Sequence, residues 1–206
     1  MCPRPYRMGQ RQPAVDETRT RIIAAARNLI MSRSGFADFS IDAVARKASV
    51  ARMTVYYQFK SKVGLLEALL DDIAERGEIK RISGALANPN PRDALAECIA
   101  VFGRFWTLDR VVIRRLRAMA TLDPDFEEGL RGRDAHRHDK IRILLQALAE
   151  KYGRPNPNAL GDAVDLVVVL TSFGTFDHLA GRARTPEEVV PVITRLIFQA
   201  LGLDSE

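Results

Sequence analysis

A chain of 206 residues with 47% hydrophobic, 28% charged and 7% aromatic residues has the composition of a folded protein of one or two domains, which excludes wholesale disorder. Its longest aliphatic run, Leu166-Val167-Val168-Val169-Leu170, falls far short of the ~20 apolar residues of a membrane span, and Cys2 and Cys98 are too few for a disulfide framework or a zinc site. The net charge of +5 is uneven: residues 1–62 hold 12 Lys/Arg against 4 Asp/Glu (+8) and residues 63–206 hold 19 against 22 (−3), which suits either contact with a polyanion or a solvated basic surface.

The first residues are basic with no apolar stretch behind them, so no secretory signal is expected, and a reducing, cytoplasmic setting is. Pro3, Pro5 and Pro13 make residues 1–15 a flexible basic arm. From Asp16 to Arg33, the residues Ile22, Ala26, Leu29 and Ile30 recur at i, i+4, i+7 and i+8, the stripe of an amphipathic helix that Gly35 is placed to stop. Ser40 then caps a short helix reaching Ala48, with Phe39 and Val44 spaced as a hydrophobic staple. A second short helix fits Ala51 to Gln58, and the pair reads as a helix-turn-helix. A fourth helix starts at Ser61 and is expected to run to about Arg81.

Gly84 to Pro91 is the softest internal boundary. Asn90-Pro91 opens a helix bearing Leu95, Cys98, Ile99, Phe102, Phe105 and Trp106. Val112, Leu116, Met119 and Ala120 mark the next, which ends before Asp123-Pro124. A long helix carries Ile141, Leu144, Leu145 and Leu148 to Gly153, and Gly129 and Gly132 are expected to weaken or break its first part. A helix from Pro157 to Leu179 is apolar nearly all round between Val164 and Leu170. The last opens with a capping Thr185, Pro186 and Glu188, and Pro191 is expected to kink it or delay its start. Apolar residues on more than one face need cover on more than one face, from a central position in the monomer or from a second copy. The second copy is the preferred reading, with Leu166, Val168, Val169, Val192, Leu196 and Ile197 at a homodimer interface. The expected fold is all-α with about nine helices: a basic arm at 1–15, a helix-turn-helix domain with connecting helix at 16–80, and a second helical domain at 81–206.

On a helix at ~100° per residue, Arg52, Met53, Tyr56 and Lys60 fall in one arc with Tyr57 at its edge, while Ala51, Val55 and Gln58 fall opposite. A basic, aromatic face on a short helix suits the major groove of DNA, with Arg reading guanine and Tyr and Lys holding phosphates. The other reading makes Tyr56 and Tyr57 half-buried packing residues.

The run from Phe39 to Lys62 resembles the DNA-binding segment of the TetR family of bacterial regulators. The resemblance rests on Ser40, Val44-Ala45, Ala48-Ser49-Val50-Ala51, Thr54-Val55-Tyr56, Tyr57, Phe59, Lys60-Ser61-Lys62 and Leu65-Leu66-Glu67, and it covers about residues 16–75. Three positions depart from the pattern: Ser49 stands where the family has its turn glycine, Ala51 where it has a capping serine, and Gln58 where histidine is common. The resemblance implies that Thr54, Tyr56, Tyr57 and Lys62 contact the DNA backbone, that Arg52 and Met53 read bases, and that Ser40 binds a phosphate; Lys60 joins them as a phosphate contact.

It further implies a small-molecule pocket in the C-terminal domain. The candidate lining is Phe102, Phe105, Trp106, Leu116, Met119, Phe173 and Phe176, with His178 among the polar residues that orient a ligand. One histidine makes a poor metal site, and His136 and His138 point to different sides of a helix, so neither a metal nor another cofactor is expected. The implied function is a homodimeric regulator, in the first instance a repressor, that leaves a palindromic double-stranded operator when a small, largely apolar effector binds. An activator remains open, as does an architectural DNA-binding protein without a ligand. An all-helical enzyme has no HExxH, Gly-rich phosphate loop or nucleophile motif behind it, so no catalytic residue is expected.

Overall fold

The computed structural model describes residues 11–32 and 39–203, and every regular element in them is helical. In chain order the α-helices are α1 (Arg11–Met31), α2 (Ile41–Ala48), α3 (Arg52–Phe59), α4 (Lys62–Arg76), α5 (Arg81–Ala85), α6 (Pro91–Leu108), α7 (Arg110–Ala120), α8 (Pro124–Tyr152), α9 (Leu160–Leu170), α10 (Phe173–Ala180) and α11 (Val190–Leu201). Short 3-10 turns precede α9 and α11, at Pro157–Ala159 and Glu187–Val189. The fold is all-α as expected, with eleven α-helices among the described residues instead of about nine. Helix α1 takes in residues 11–15, which the sequence reading gave to the arm. The rest of the arm with Cys2, and the stop at Gly35, lie outside the described residues.

The extra helices have local causes. Helix α4 ends at Arg76, short of Arg81, because Glu78 adopts a left-handed backbone (φ 52°) that a right-handed helix cannot contain. The expected helix from Pro157 to Leu179 is two helices, α9 and α10, bent by 49°. The carbonyl of Thr171, which a continuous helix would offer to the Thr175 N–H, instead accepts from Trp106 Nε1 at 3.1 Å and from Arg137 Nη1 at 3.1 Å. The Thr175 N–H turns to the Ser172 hydroxyl, the N-cap of α10. No single described helix is long and apolar enough to cross a membrane, although α9 and α10 taken together approach that composition.

Of two expected breaks, the first is absent and the second is present. Helix α8 runs unbroken through Gly129 and Gly132. A glycine costs ~1 kcal/mol in a helix, less than the ~1.5–3 kcal/mol returned by fully burying a side chain such as Phe126, Leu145 or Leu148. Pro191 delays α11: Thr185 and Glu188 form a reciprocal capping box, with Thr185 N–H to Glu188 Oε2 at 2.6 Å and Glu188 N–H to Thr185 Oγ1 at 3.3 Å, and the chain passes through a 3-10 turn before the helix begins.

The chain forms two compact units. The first comprises residues up to Asp72 together with Arg114–Phe126; the second comprises Ile73–Ile113 and residues from Glu127 onward. Residues 73–80, read from sequence as part of the first domain, therefore group with the second, and 114–126 group with the first. In the first unit Ile22, Ala26, Ile30, Val44, Val55, Leu65, Leu69 and Leu116 are fully buried. Arg115 of α7 donates to the Ser32 carbonyl at 2.7 Å and to the Ile30 carbonyl, closing the C-terminal end of α1. In the second unit Leu95, Ile99, Leu145, Val164, Phe176, Ile193 and Ile197 make the core. Buried Gly103 lets α6 approach the turn before α11, because a Cβ there would overlap Val190.

Candidate nucleic-acid interface

The first unit presents α3 on a scaffold of α2 and α4, and each joint is set by backbone chemistry. Ser40 caps α2 by accepting from the Ala43 N–H at 3.1 Å. Ser49 ends α2 in the left-handed region (φ 55°, ψ 46°), which frees the chain to turn into α3. Ala51 occupies the N-cap of α3 with no side-chain cap, as its methyl group dictates. At the far end Lys60 is again left-handed (φ 66°), and Ser61 caps α4 by accepting from the Gly64 N–H at 2.9 Å. A Cβ on Gly64 would overlap the Phe59 carbonyl, so only glycine lets α4 start this close to the end of α3.

These joints identify two positions where the chain is less stable than it need be. Ser49→Gly should raise stability by ~0.5–1 kcal/mol by removing the left-handed cost of a residue with a Cβ. Ala51→Ser should add ~1 kcal/mol by supplying the missing cap. For a chain of this size the thermal midpoint should rise by about 1–4 °C in Ser49→Gly and by about 2–4 °C in Ala51→Ser. A midpoint unchanged in Ala51→Ser would show that the α3 N-terminus is already satisfied another way.

Val55 and Phe59 are buried beneath α3, and the opposite face is open. Met53 is 73% and Tyr57 75% exposed, both far from core-like. Arg52, Lys60 and Lys62 are exposed, as is Ser40 at the start of α2; Thr54 and Tyr56 are half-buried. The residues proposed from sequence for DNA contact are thus exposed or half-buried at the start of α2, along α3 and at the start of α4. Lys60 Nζ lies 5.5 Å from the Tyr57 ring centroid and donates to the Tyr57 carbonyl at 3.3 Å. Arg52 donates through Nη1 to Asp42 Oδ2 at 3.2 Å and through Nη2 to the Tyr56 hydroxyl at 3.3 Å. The Tyr56 hydroxyl first, and the Asp42 charge second, hold Arg52 protonated still more firmly than usual.

Sequence reasoning missed two residues here. Arg19 of α1 donates to the Gln58 carbonyl at 3.3 Å and stacks 4.6 Å from the Phe59 ring centroid, tying down the C-terminal end of α3. Asp42 is the other. Both are long-range partners, 39 and 10 residues from their contacts, so no local spacing announces them.

The second unit brings together part of the expected ligand set. Trp106 packs against Phe105 (centroids 4.6 Å), Phe173 (5.5 Å) and Phe102 (6.4 Å). Phe176 is fully buried beside Gly103. Leu116 and Met119 do not join them: α7 crosses the division between units, and its C-terminal part belongs to the first. His178 is exposed. Cys98 is buried, and desolvation pushes its thiol up to about 12, so it behaves as a small apolar residue. Of the expected interface residues, Leu166, Val169 and Leu196 are exposed, and Val168 and Val192 are half-buried. Ile197 is a correction: it is fully buried in the protomer, because Ile193, Ile197 and Leu201 recur every four residues on the inner face of α11.

Known proteins carry the same arrangement. Residues 22–69 match the family model described as bacterial regulatory proteins, tetR family. The transcriptional regulator EthR of Mycolicibacterium smegmatis is 25% identical over 196 residues, which are 92% of this chain and 88% of that protein. SrpR of Pseudomonas putida, also a transcriptional regulator of the helix-turn-helix type, is 44% identical over 55 residues, 27% of this chain and 25% of SrpR. For the fold, a TetR transcription regulator from Haloarcula marismortui superposes with a TM-score of 0.70 at 16% identity, over 91% of this chain and 97% of that one. The TetR-family regulator PfmR from Thermus thermophilus gives a TM-score of 0.67 at 20% identity, over 90% of this chain and all 100% of that one. The match falls on α1 to α4, where these joints and the exposed face of α3 lie, so residues 22–69 resemble the TetR-family DNA-binding segment and the chain is a DNA-binding transcriptional regulator.

Proposed function

We propose that this regulator is a homodimeric repressor that binds a palindromic operator through α3 and releases it when a small, largely apolar molecule enters the second unit. The observation that carries the DNA reading is the exposed face of α3, where Arg52, Met53, Tyr57 and Lys60 are open to solvent above buried Val55 and Phe59. In this reading Arg52 and Met53 read bases, and Ser40, Thr54, Tyr56, Tyr57, Lys60 and Lys62 hold phosphates. The protein works in the cytoplasm, where its DNA is, and it needs no cofactor and catalyses no reaction. Selection from a random duplex pool should enrich an inverted repeat. Enrichment of single, unpaired half-sites, or of nothing, would overturn the reading.

The dimer reading is supported by apolar side chains left in water on two neighbouring helices: Leu166 and Val169 on α9, and Leu196 on α11. A dimer of 2 × 23.0 = 46.0 kDa is the expected species at micromolar concentration. Val169→Glu should shift sedimentation toward the 23.0 kDa protomer while leaving the helical circular dichroism unchanged. Val169 is the better target than half-buried Val168, since at 59% exposure its replacement leaves the protomer core intact. A wild-type chain sedimenting as a monomer would contradict the proposal. The close packing of Trp106 with its three phenylalanines favours a second reading, a DNA-binding protein without a ligand, which the ligand titration described below separates from the first.

A further inference from the structure

The surface of the recognition helix carries one feature that phosphate contact does not explain. Asp42, in the first turn of α2, puts a carboxylate beside the face meant for a polyanion. It is half exposed, and among the described residues its one bonded partner is Arg52. An acidic residue there costs affinity for every DNA sequence, because it repels the phosphates that the neighbouring Lys and Arg attract. As an exposed ion pair it adds little to stability. The helix dipole of α2 favours an acid in its first turn, but that would be served equally by an acid turned away from α3.

The geometry accounts for it. A guanidinium has five N–H donors in a planar fork. Asp42 takes one on Nη1 and the Tyr56 hydroxyl takes one on Nη2, while the group lies 5.4 Å from the Tyr56 ring centroid. The side chain is held at both terminal nitrogens, and three donors remain for DNA. An arginine held this way loses less freedom on pairing with a base edge, and it is less free to swing to the nearest phosphate. We infer that Asp42 is a specificity-determining residue: it positions Arg52 for base reading, and it trades general affinity for DNA against discrimination between sequences. This rests on the reading of Arg52 as a base contact.

The test measures full-length protein on the selected operator, on operators changed at each base pair, and on an unrelated duplex. Arg52→Ala identifies the base pair that Arg52 reads, where a bidentate contact discriminates by roughly 5–150-fold. Asp42→Ala should lower discrimination at that same base pair by roughly 3–10-fold, a fraction of the full contact. It should also tighten binding to the unrelated duplex at low salt, with a gain that fades above ~0.1 M as charges are screened. Asp42→Asn, which keeps an acceptor but no charge, should tighten unrelated DNA as much while retaining more of the discrimination. Circular dichroism and thermal midpoints establish that the variants fold, and the Asn variant guards against a loss of α2 in the Ala variant. Full discrimination in Asp42→Ala, with Arg52→Ala still losing it, would overturn the positioning role alone. No change in base preference in Arg52→Ala would instead overturn the reading of Arg52 itself.

Discussion

Raising the salt concentration from ~50 to ~200 mM should weaken operator binding by about ten-thousandfold. With ~8 phosphate contacts per dimer, log K falls against log salt with a slope of about −7, since each neutralised phosphate releases condensed counterions. The basic N-terminal third supplies the charge: +8 over residues 1–62, against −3 over the rest. Lys62→Ala should flatten the slope by about 2, one contact per half-site, and should weaken all sequences alike. Arg52 is the contrast, because its loss should alter which sequence is preferred. Fluorescence anisotropy at five or six salt concentrations gives both slopes. A wild-type slope shallower than about −3 would mean that few of Tyr57, Lys60, Lys62 and their neighbours meet phosphate at all.

An effector should lower operator affinity by about 5–150-fold, the usual range for a coupling of ~1–3 kcal/mol, and operator should lower effector affinity by the same factor. The structural basis lies within the second unit. The residue after α4, Gly77, has Phe105 so close that a Cβ would come within 2.5 Å of its ring. The last residue of α4, Arg76, pairs with buried Asp109 at 2.5 Å. Phe105 in turn packs on Trp106. A ligand that opens the cluster of Phe102, Phe105, Trp106 and Phe173 must therefore disturb the anchored end of α4, and α4 is continuous with the DNA-binding unit at Asp72. Trp106 is the chain's single tryptophan, buried in that cluster, so its fluorescence reports entry directly. Each compound that shifts it should be titrated again with saturating operator. Compounds whose affinity ignores the operator are not effectors. If all of them do, the ligand-independent reading replaces this one.

The segment from Phe39 to Lys62 was legible in the sequence because its determinants are local. Ser40 caps within three residues, Val44 and Val55 mark inner faces by helical period, and Arg52, Met53, Tyr57 and Lys60 fall on the outer face by the same arithmetic. Even its departures were informative: Ser49 took the left-handed conformation that its position requires, and Ala51 left its helix uncapped. The C-terminal helices were less legible. The Thr171 break depends on Trp106 and Arg137, at 65 and 34 residues' distance, competing for one carbonyl. Continuity through Gly129 and Gly132 depends on what α8 buries, which propensity does not record. The grouping of Leu116 with the first unit and of Trp106 with the second depends on where α7 crosses between them.

By itself, then, the chain's pattern of caps, periods and charge determined an all-helical protein with a basic helix-turn-helix near its N-terminus, since those features act over a few residues. Tertiary structure alone decided that Asp42 grips Arg52, that Arg19 and Arg115 close the ends of α3 and α1, and that Ile197 faces inward while Leu196 faces out. An unpaired side-chain donor or backbone carbonyl is satisfied by whichever group the fold brings within ~3 Å, and that neighbour has no fixed distance along the chain.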